Sequence, residues 1–240
     1  MIILINCKVT MTKKIELMYF KDRQQAGELL AEKLYEKYRY EDCAVVALNA
    51  GGVLVGKPLA EKLHAVLSMI VTEEIHLPGD TLVVGSVSQD GNFVYNSNLT
   101  SFEIQDYFGE FFHSIDDEKR VAFHKINRLI GDGGAFDKDL LQNRIIILVS
   151  DGLSDGSVVG AAMDYLKPVR VKKVVIALPI ATAPVVDFLH VKVDEMHILD
   201  VKDDFIDGIR HYYDDNYIPD SDEIIDMLNE AILGWKQNDY

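Results

Sequence analysis

The segment Ile147-Leu-Val-Ser-Asp-Gly-Leu-Ser-Asp-Gly-Ser-Val158 gathers hydroxyls, carboxylates and glycines directly after an apolar run. Where a buried strand passes through a small-residue loop into a helix, free backbone N–H groups at the helix start bind anions, and glycines let a phosphate approach closely. Ser150, Asp151, Gly152, Ser154, Asp155, Gly156 and Ser157 therefore form the first candidate site, an anion loop. A second is Ala50, Gly51 and Gly52, a glycine turn after the run Cys43 to Leu48, and a third is the polar stretch Glu73 to Asp80. In open α/β sheets ligands bind at the carboxyl ends of the strands, so a ligand is expected across these three segments.

Other chemistries compete for the same residues. Gly152-Leu-Ser-Asp-Gly156 satisfies G-x-S-x-G, the nucleophile elbow of α/β serine hydrolases, with Ser154 as nucleophile. Asp200, Asp203 or Asp204 could supply the acid, but His211 is the only histidine after them, which leaves no room for the elements that separate the two roles; this stays the minor alternative. As a calcium loop the segment fails, because Leu153 falls at a ligand position and Ala162 where a bidentate Glu belongs. His64, His76, His113, His124, His190, His197 and His211 lack metal-ligand spacing, and only His76 lies in a candidate site segment. Asp116-Asp117-Glu118 and Asp203-Asp204 read as solvated helix ends or loops. Tyr212, Tyr213 and Tyr217 read as a tail packed on the domain, with stacking on a nucleobase as the alternative.

The elements that must position these residues are legible from periodicity. Helical spacing runs over Asp22 to Tyr38, Val55 to His64, most of Asp106 to Leu129, Val158 to Leu166 and Ser221 to Trp235. Apolar runs at Cys43 to Leu48, Val66 to Val71, Ile145 to Val149, Lys173 to Leu178 and Met196 to Leu199 predict strands, with Ile145 to Val149 the central one because it is β-branched and uninterrupted. An irregular stretch is expected after Val71, then a hairpin over Thr81 to Phe93 turning at Asp90-Gly91. Gly131-Asp-Gly-Gly134 reads as a mobile loop. Alternating strands and helices imply an open, mostly parallel twisted α/β sheet flanked by helices.

Composition narrows the partners. The 240 residues are 48 % hydrophobic, enough for one large core. A net charge of −15 argues against a nucleic-acid partner or an anionic membrane surface and is read as a solvated surface. Two cysteines, Cys7 and Cys43, suit a reducing, cytoplasmic compartment. The first ten residues read poorly as a signal peptide, and Met11 opens a more ordinary start, so residues 1–19 are expected to be an extension or a first strand before a domain over 20–240. No stretch approaches the roughly 18 apolar residues that span a bilayer.

The sequence resembles the type I phosphoribosyltransferases, which carry two acidic residues, a short hydrophobic stretch and Thr-Gly-x-Thr after a central strand. Asp151, Gly152, Leu153 and Gly156 fit that pattern. A branch known only as predicted phosphoribosyltransferases is matched further by Phe20, Asp22, Arg23, Ala26, Gly27, Leu30 and Ala31, by Gly51-Gly52, Pro78-Gly79 and Val84-Gly-Ser-Val87 with Asp90-Gly91, and by Ala177-Leu-Pro-Ile180 and the Tyr213 to Glu223 tail. The resemblance covers about Phe20 to Leu228 and implies the family's fold with a β-hairpin and a small hood of terminal segments. It also implies a phosphate and ribose loop at Ser150 to Ser157, a pyrophosphate loop at Ala50 to Gly52, magnesium with Asp151 as a ligand, a phosphorylated sugar or nucleotide partner, and room for a homodimer.

The departures all remove affinity for phosphate. Ser150 replaces the first acid, Asp155 the leading threonine and Val158 the closing one; Ala50 stands where the branch has arginine, and Glu73-Glu74 where it has Arg-Lys. The expected function is a phosphoribosyltransferase homologue with an altered phosphate loop, weakly active, altered in substrate or non-catalytic. The alternative is a working enzyme dependent on magnesium and phosphoribosyl pyrophosphate, its lost charges replaced by residues such as Lys57 or Lys125.

Overall fold

Strand β6 (Ile145–Val149) is buried along its whole length and lies at the centre of a five-stranded parallel sheet, as its unbroken apolar run predicts. The structure is a computed structural model that describes residues 19–80, 82–131, 138–205 and 207–237. The expected extension through residue 18 and most of the glycine-rich loop, 132–134, lie outside the described residues.

The chain runs α1 (Arg23–Tyr38), β1 (Cys43–Ala47), α2 (Ala50–Leu63), β2 (Val66–Met69), β3 (Thr72–His76), β4 (Val83–Ser88), β5 (Phe93–Tyr95), α3 (Ser101–Glu110), α4 (Phe112–Gly131), β6, α5 (Ser157–Leu166), β7 (Lys173–Thr182), α6 (Ala183–His190), β8 (Glu195–Lys202) and α7 (Ser221–Gln237). Strand order is β2-β1-β6-β7-β8, with β3-β4-β5 forming a separate antiparallel sheet. Side chains alternate across the parallel sheet. Val45, Ile147 and Val175 face one apolar cluster with residues of α1 and α2, while Val46, Leu148 and Ile176 face another with residues of α5 and α6.

Asp22 caps α1, its carboxylate accepting from the Gln25 amide at 2.7 Å. Gly27 lets α1 lie against α2, because a Cβ there would stand 2.2 Å from the Val55 carbonyl oxygen. At the amino edge of the sheet, Glu195 takes hydrogen bonds from Lys173, Lys37 and His197. Burial raises the Glu195 pKa, but these donors outweigh it and bring it down to about 2. The charge network ties the end of α1 to the sheet on the side away from the candidate site.

Two expectations need correction. The stretch after Val71 is not irregular: Thr72–His76 is a strand paired antiparallel with β4, with Ile75 fully buried on one face and Glu74 on the other, opposite Ser86. The glycine pair Gly51-Gly52 is not a turn. Asn49 caps α2 through the Gly52 amide at 2.6 Å, so both glycines already belong to the first helical turn. Strands β7 and β8 also run past their apolar cores, to Thr182 and Lys202. The terminal segments meet as expected: the Phe20 amide donates to the Tyr212 carbonyl at 2.9 Å, and the Phe20 and Tyr213 rings stack with centroids 5.5 Å apart.

Candidate functional site

The carboxyl ends of β1 and β6 bring Asn49 and Asp151 together, and α1 adds Arg23. Asp151 Oδ2 accepts from Arg23 Nε at 2.7 Å, and Oδ1 accepts from Asn49 Nδ2 at 2.9 Å. Both side chains of the ion pair are buried, 1 % and 6 % exposed. The guanidinium lies over the Tyr213 ring, 4.5 Å from its centroid, and Tyr213 Oη donates to the Asp151 carbonyl at 2.5 Å. Gly51 has to be glycine for this arrangement, since a Cβ there would stand 2.2 Å from Asp151 Oδ2. Both carboxylate oxygens of Asp151 thus already have strong internal donors.

Several groups of the loop from Ser150 to Ser157 are likewise engaged from within. The Ser157 amide, at the start of α5, donates to Asp155 Oδ1 at 2.7 Å. The Gly156 amide donates to Ser97 Oγ at 3.1 Å, and the Gly152 amide to Ser150 Oγ at 3.4 Å. Asn98 Nδ2 and Thr182 Oγ1 both reach the Ser154 carbonyl at 3.1 Å, and Ser157 Oγ pairs with Ser86 Oγ of β4 at 2.6 Å. The residue that leaves Gly156 no room for a side chain is Phe188, whose ring a Cβ would approach to 2.3 Å. Close packing against the protein itself accounts for this glycine. The Asp155 carboxylate, 3 % exposed by residue, sits at the positive end of the α5 dipole. Burial raises its pKa, against the lowering effects of the Ser157 hydrogen bonds and His76.

Strand β3 supplies the third wall. Glu74 is drawn into the same field: withdrawal from water, then Asp155, Asp151 and Glu73, raise its pKa to about 7. Its side chain is still 41 % exposed, in a groove crowded by carboxylates, and His76 Nε2 is 3.9 Å from its Oε2. A carboxyl pKa raised in the folded state gives stability that is fully present below the unfolded value, about 4.5, and is lost as pH rises through about 7. Glu74→Gln should therefore melt higher than the parent at pH 8, on the order of 2 °C, with no difference at pH 4. Melting curves of both proteins across that range check it; a gap independent of pH would show that the Glu74 pKa is the same folded and unfolded.

Of the expected site residues, the structure brings together Ala50 to Gly52, Glu73-Glu74 and Ser150 to Ser157. Arg23, Asn49, Ser86 and Ser97 complete the arrangement. Arg23 lies on the helix that opens the domain, where only its membership in the family-like opening pattern could have signalled it. Lys57 reaches Glu230 at 3.8 Å and Lys125 reaches Glu73 at 3.7 Å, so the two lysines offered as replacement cations are engaged with acids. His211 Nε2 is 3.2 Å from Tyr19 Oη, and among the described residues no hydrogen bond joins it to Ser154. Among the described residues no group of three His, Cys, Asp or Glu side chains is placed to hold a metal. With each Asp151 oxygen already taking a donor, from Arg23 and Asn49, and no further acid, His or Cys grouped with it among the described residues, the ligand set does not fit a resident magnesium ion.

Comparison with known proteins agrees with this architecture. The family model for the phosphoribosyl transferase domain matches residues 19–202. Two Mycobacterium tuberculosis proteins, from strains CDC 1551 and H37Rv, provisionally named phosphoribosyl transferases, are each 27 % identical over 168 residues, 70 % of this chain. The match covers only 37 % of each of them, so the chain spans well under half the length of these curated relatives. Among solved structures, TT1426 from Thermus thermophilus superposes with a TM-score of 0.63 at 23 % identity, covering 89 % of this chain and 99 % of that one. No described helix is long and apolar enough to cross a membrane.

Proposed function

The chain belongs to the phosphoribosyl transferase domain family, and from that premise we propose that it is a member whose phosphate loop is closed by its own carboxylate and which does not transfer a phosphoribosyl group in this conformation. The observation that carries the proposal is the hydrogen bond from the Ser157 amide to Asp155 Oδ1 at 2.7 Å. The positive start of α5 is where the loop would receive a 5′-phosphate, and a protein carboxylate already takes its donor. A phosphate dianion entering there would meet Asp155, with Glu74 close by, in a poorly solvated groove where like charges repel strongly.

Transfer of a phosphoribosyl group rests on positioning and on electrostatic stabilisation of the departing pyrophosphate. The cations that supply it in the resembled branch are replaced by Ala50 and Glu73-Glu74, and the cleft carries carboxylates instead. Asp151, the acid expected to hold the ribose hydroxyls or magnesium, is used to bind Arg23 and Asn49. What the family membership supports is a cleft shaped for a phosphoribosyl or nucleotide-type ligand; the charges in it favour a ligand without a phosphate at the α5 end. We assign magnesium no step, because the residues at the site do not assemble its ligands.

A thermal-shift titration of the parent protein with phosphoribosyl pyrophosphate and magnesium chloride tests this reading. The expected result is a melting temperature unchanged at about 1 mM ligand, since a ligand that binds only the native state must raise it once its concentration exceeds Kd. Saturable stabilisation at micromolar concentrations would overturn the proposal.

A further inference from the structure

A second pocket, of about 350 Å³, lies apart from the cleft, between the β4–β5 hairpin and helix α4, with Val87, Phe93, Lys119, Phe123 and His124 in its lining. Val87 and Phe93 are a cross-strand pair. Lys119 and Phe123 lie one helical turn apart on α4, so their side chains share a face. The hairpin sheet separates this pocket from the phosphate loop: Ser86, next to Val87, points the other way, to Ser157.

The lining is apolar apart from the cations, and those cations are not equivalent. Arg120 is neutralised by Asp116 at 2.7 Å and Asp117 at 3.6 Å. Lys119 makes no ion pair among the described residues; its ammonium stands over the Phe93 ring at 3.8 Å and over the Phe108 ring at 4.9 Å. In a protein of net charge −15, a half-buried ammonium that stands over two aromatic rings, and shares its neighbouring acid Asp116 with Arg120, is an available anion partner. Burial shifts its pKa downward, against the raising effect of Asp116.

We infer that this pocket is a binding site for a planar aromatic carboxylate, its rings held among Val87, Phe93 and Phe123 and its single negative charge paired with Lys119. A monoanion is specified because Lys119 is the one lysine or arginine of the lining without an ion pair among the described residues, while Asp116 and Asp117 at the rim would repel a phosphate dianion. Most small-molecule sites combine an apolar concavity with few polar anchors in this way. The inference is independent of the phosphate loop and of the proposed function.

Isothermal titration calorimetry with 2-naphthoate and its neutral isostere 2-naphthylmethanol tests it. The carboxylate should bind at least about tenfold more tightly than the alcohol, because a charge-assisted contact in a partly desolvated pocket is worth a factor of that order. Lys119→Met should erase that preference, Lys119→Arg should keep it, and Phe123→Ala should weaken both ligands. Asp155→Thr, in the other site, should leave the affinities unchanged. Lys119→Met and Lys119→Gln are both measured, with melting curves to establish folding. Absence of binding, equal affinity for carboxylate and alcohol, or unchanged carboxylate affinity in the folded lysine variants would overturn the inference.

Discussion

Replacing Asp155 by threonine is expected to raise the protein's affinity for phosphoribosyl pyrophosphate above that of the parent. The substitution removes the carboxylate that accepts from the Ser157 amide and restores a hydroxyl at the start of α5. With the amide released and the like charge gone, the helix start regains its attraction for phosphate. At a ligand concentration of about 100 times Kd the variant should gain about 2.7 kcal/mol. For a chain of this size that raises the melting temperature by about 5–10 °C in the presence of ligand and magnesium. Asp155→Asn, which keeps an oxygen for the Ser157 amide but no charge, should gain less. If both variants are folded and neither responds to ligand, Asp155 is not the barrier.

The other substitutions suggested by the family pattern carry a structural cost that the loop sequence alone does not reveal. Ser150 is fully buried and its hydroxyl donates to the Gly152 carbonyl at 3.0 Å, so Ser150→Asp would bury a second carboxylate beside Asp151. Val158 packs in the apolar cluster with Leu153, Val159 and Ala162, so Val158→Thr would place a hydroxyl among hydrocarbon. Asp155 is the position where reversion removes an unfavourable buried charge.

Arg23→Met is expected to be the most destabilising single change at the site. It leaves the Asp151 carboxylate buried with only Asn49 as a donor, and breaking one side of a buried ion pair costs about 3–5 kcal/mol. The melting temperature should fall by about 6–20 °C. Urea denaturation of Arg23→Met, Asp151→Leu and the double variant separates the pair from its surroundings. The double variant should be more stable than Arg23→Met, because it removes the unpaired charge as well as its partner. A loss below about 1 kcal/mol in Arg23→Met would mean that Asp151 is protonated or solvated when the arginine is gone, and the site would then have a carboxyl group free for a ligand.

The sequence by itself determined the parallel sheet, its central strand and the place where the site must lie. Those features are local: a strand covered on both faces has to be apolar along its length, as Ile145 to Val149 is, and an amphipathic helix has to repeat every three to four residues. The hairpin at Asp90-Gly91 was legible for the same reason, since the turn is specified by adjacent residues and Gly91 takes a positive φ of 83°. The changes of charge at Ala50, Glu73-Glu74 and Asp155 were also on the surface of the sequence, as departures from a resembled pattern.

Only the tertiary structure decided what those charges do. Arg23 and Asp151 are 128 residues apart, and nothing in the spacing of either joins them; α1 folding over the carboxyl ends of β1 and β6 does. Glu73-Glu74 looked like loop because its polar residues outnumber its apolar ones, yet one buried side chain, Ile75, and the pairing with β4 make it a strand that carries Glu74 toward Asp155. Gly51, within the first turn of α2, and Gly156 read as room for a ligand and are instead occupied by Asp151 and Phe188. A glycine records that something approaches the backbone closely; what approaches is fixed by contacts between distant segments. For the same reason Asp155 could be read as lost affinity for phosphate, while its direction, inward onto the Ser157 amide, required the fold.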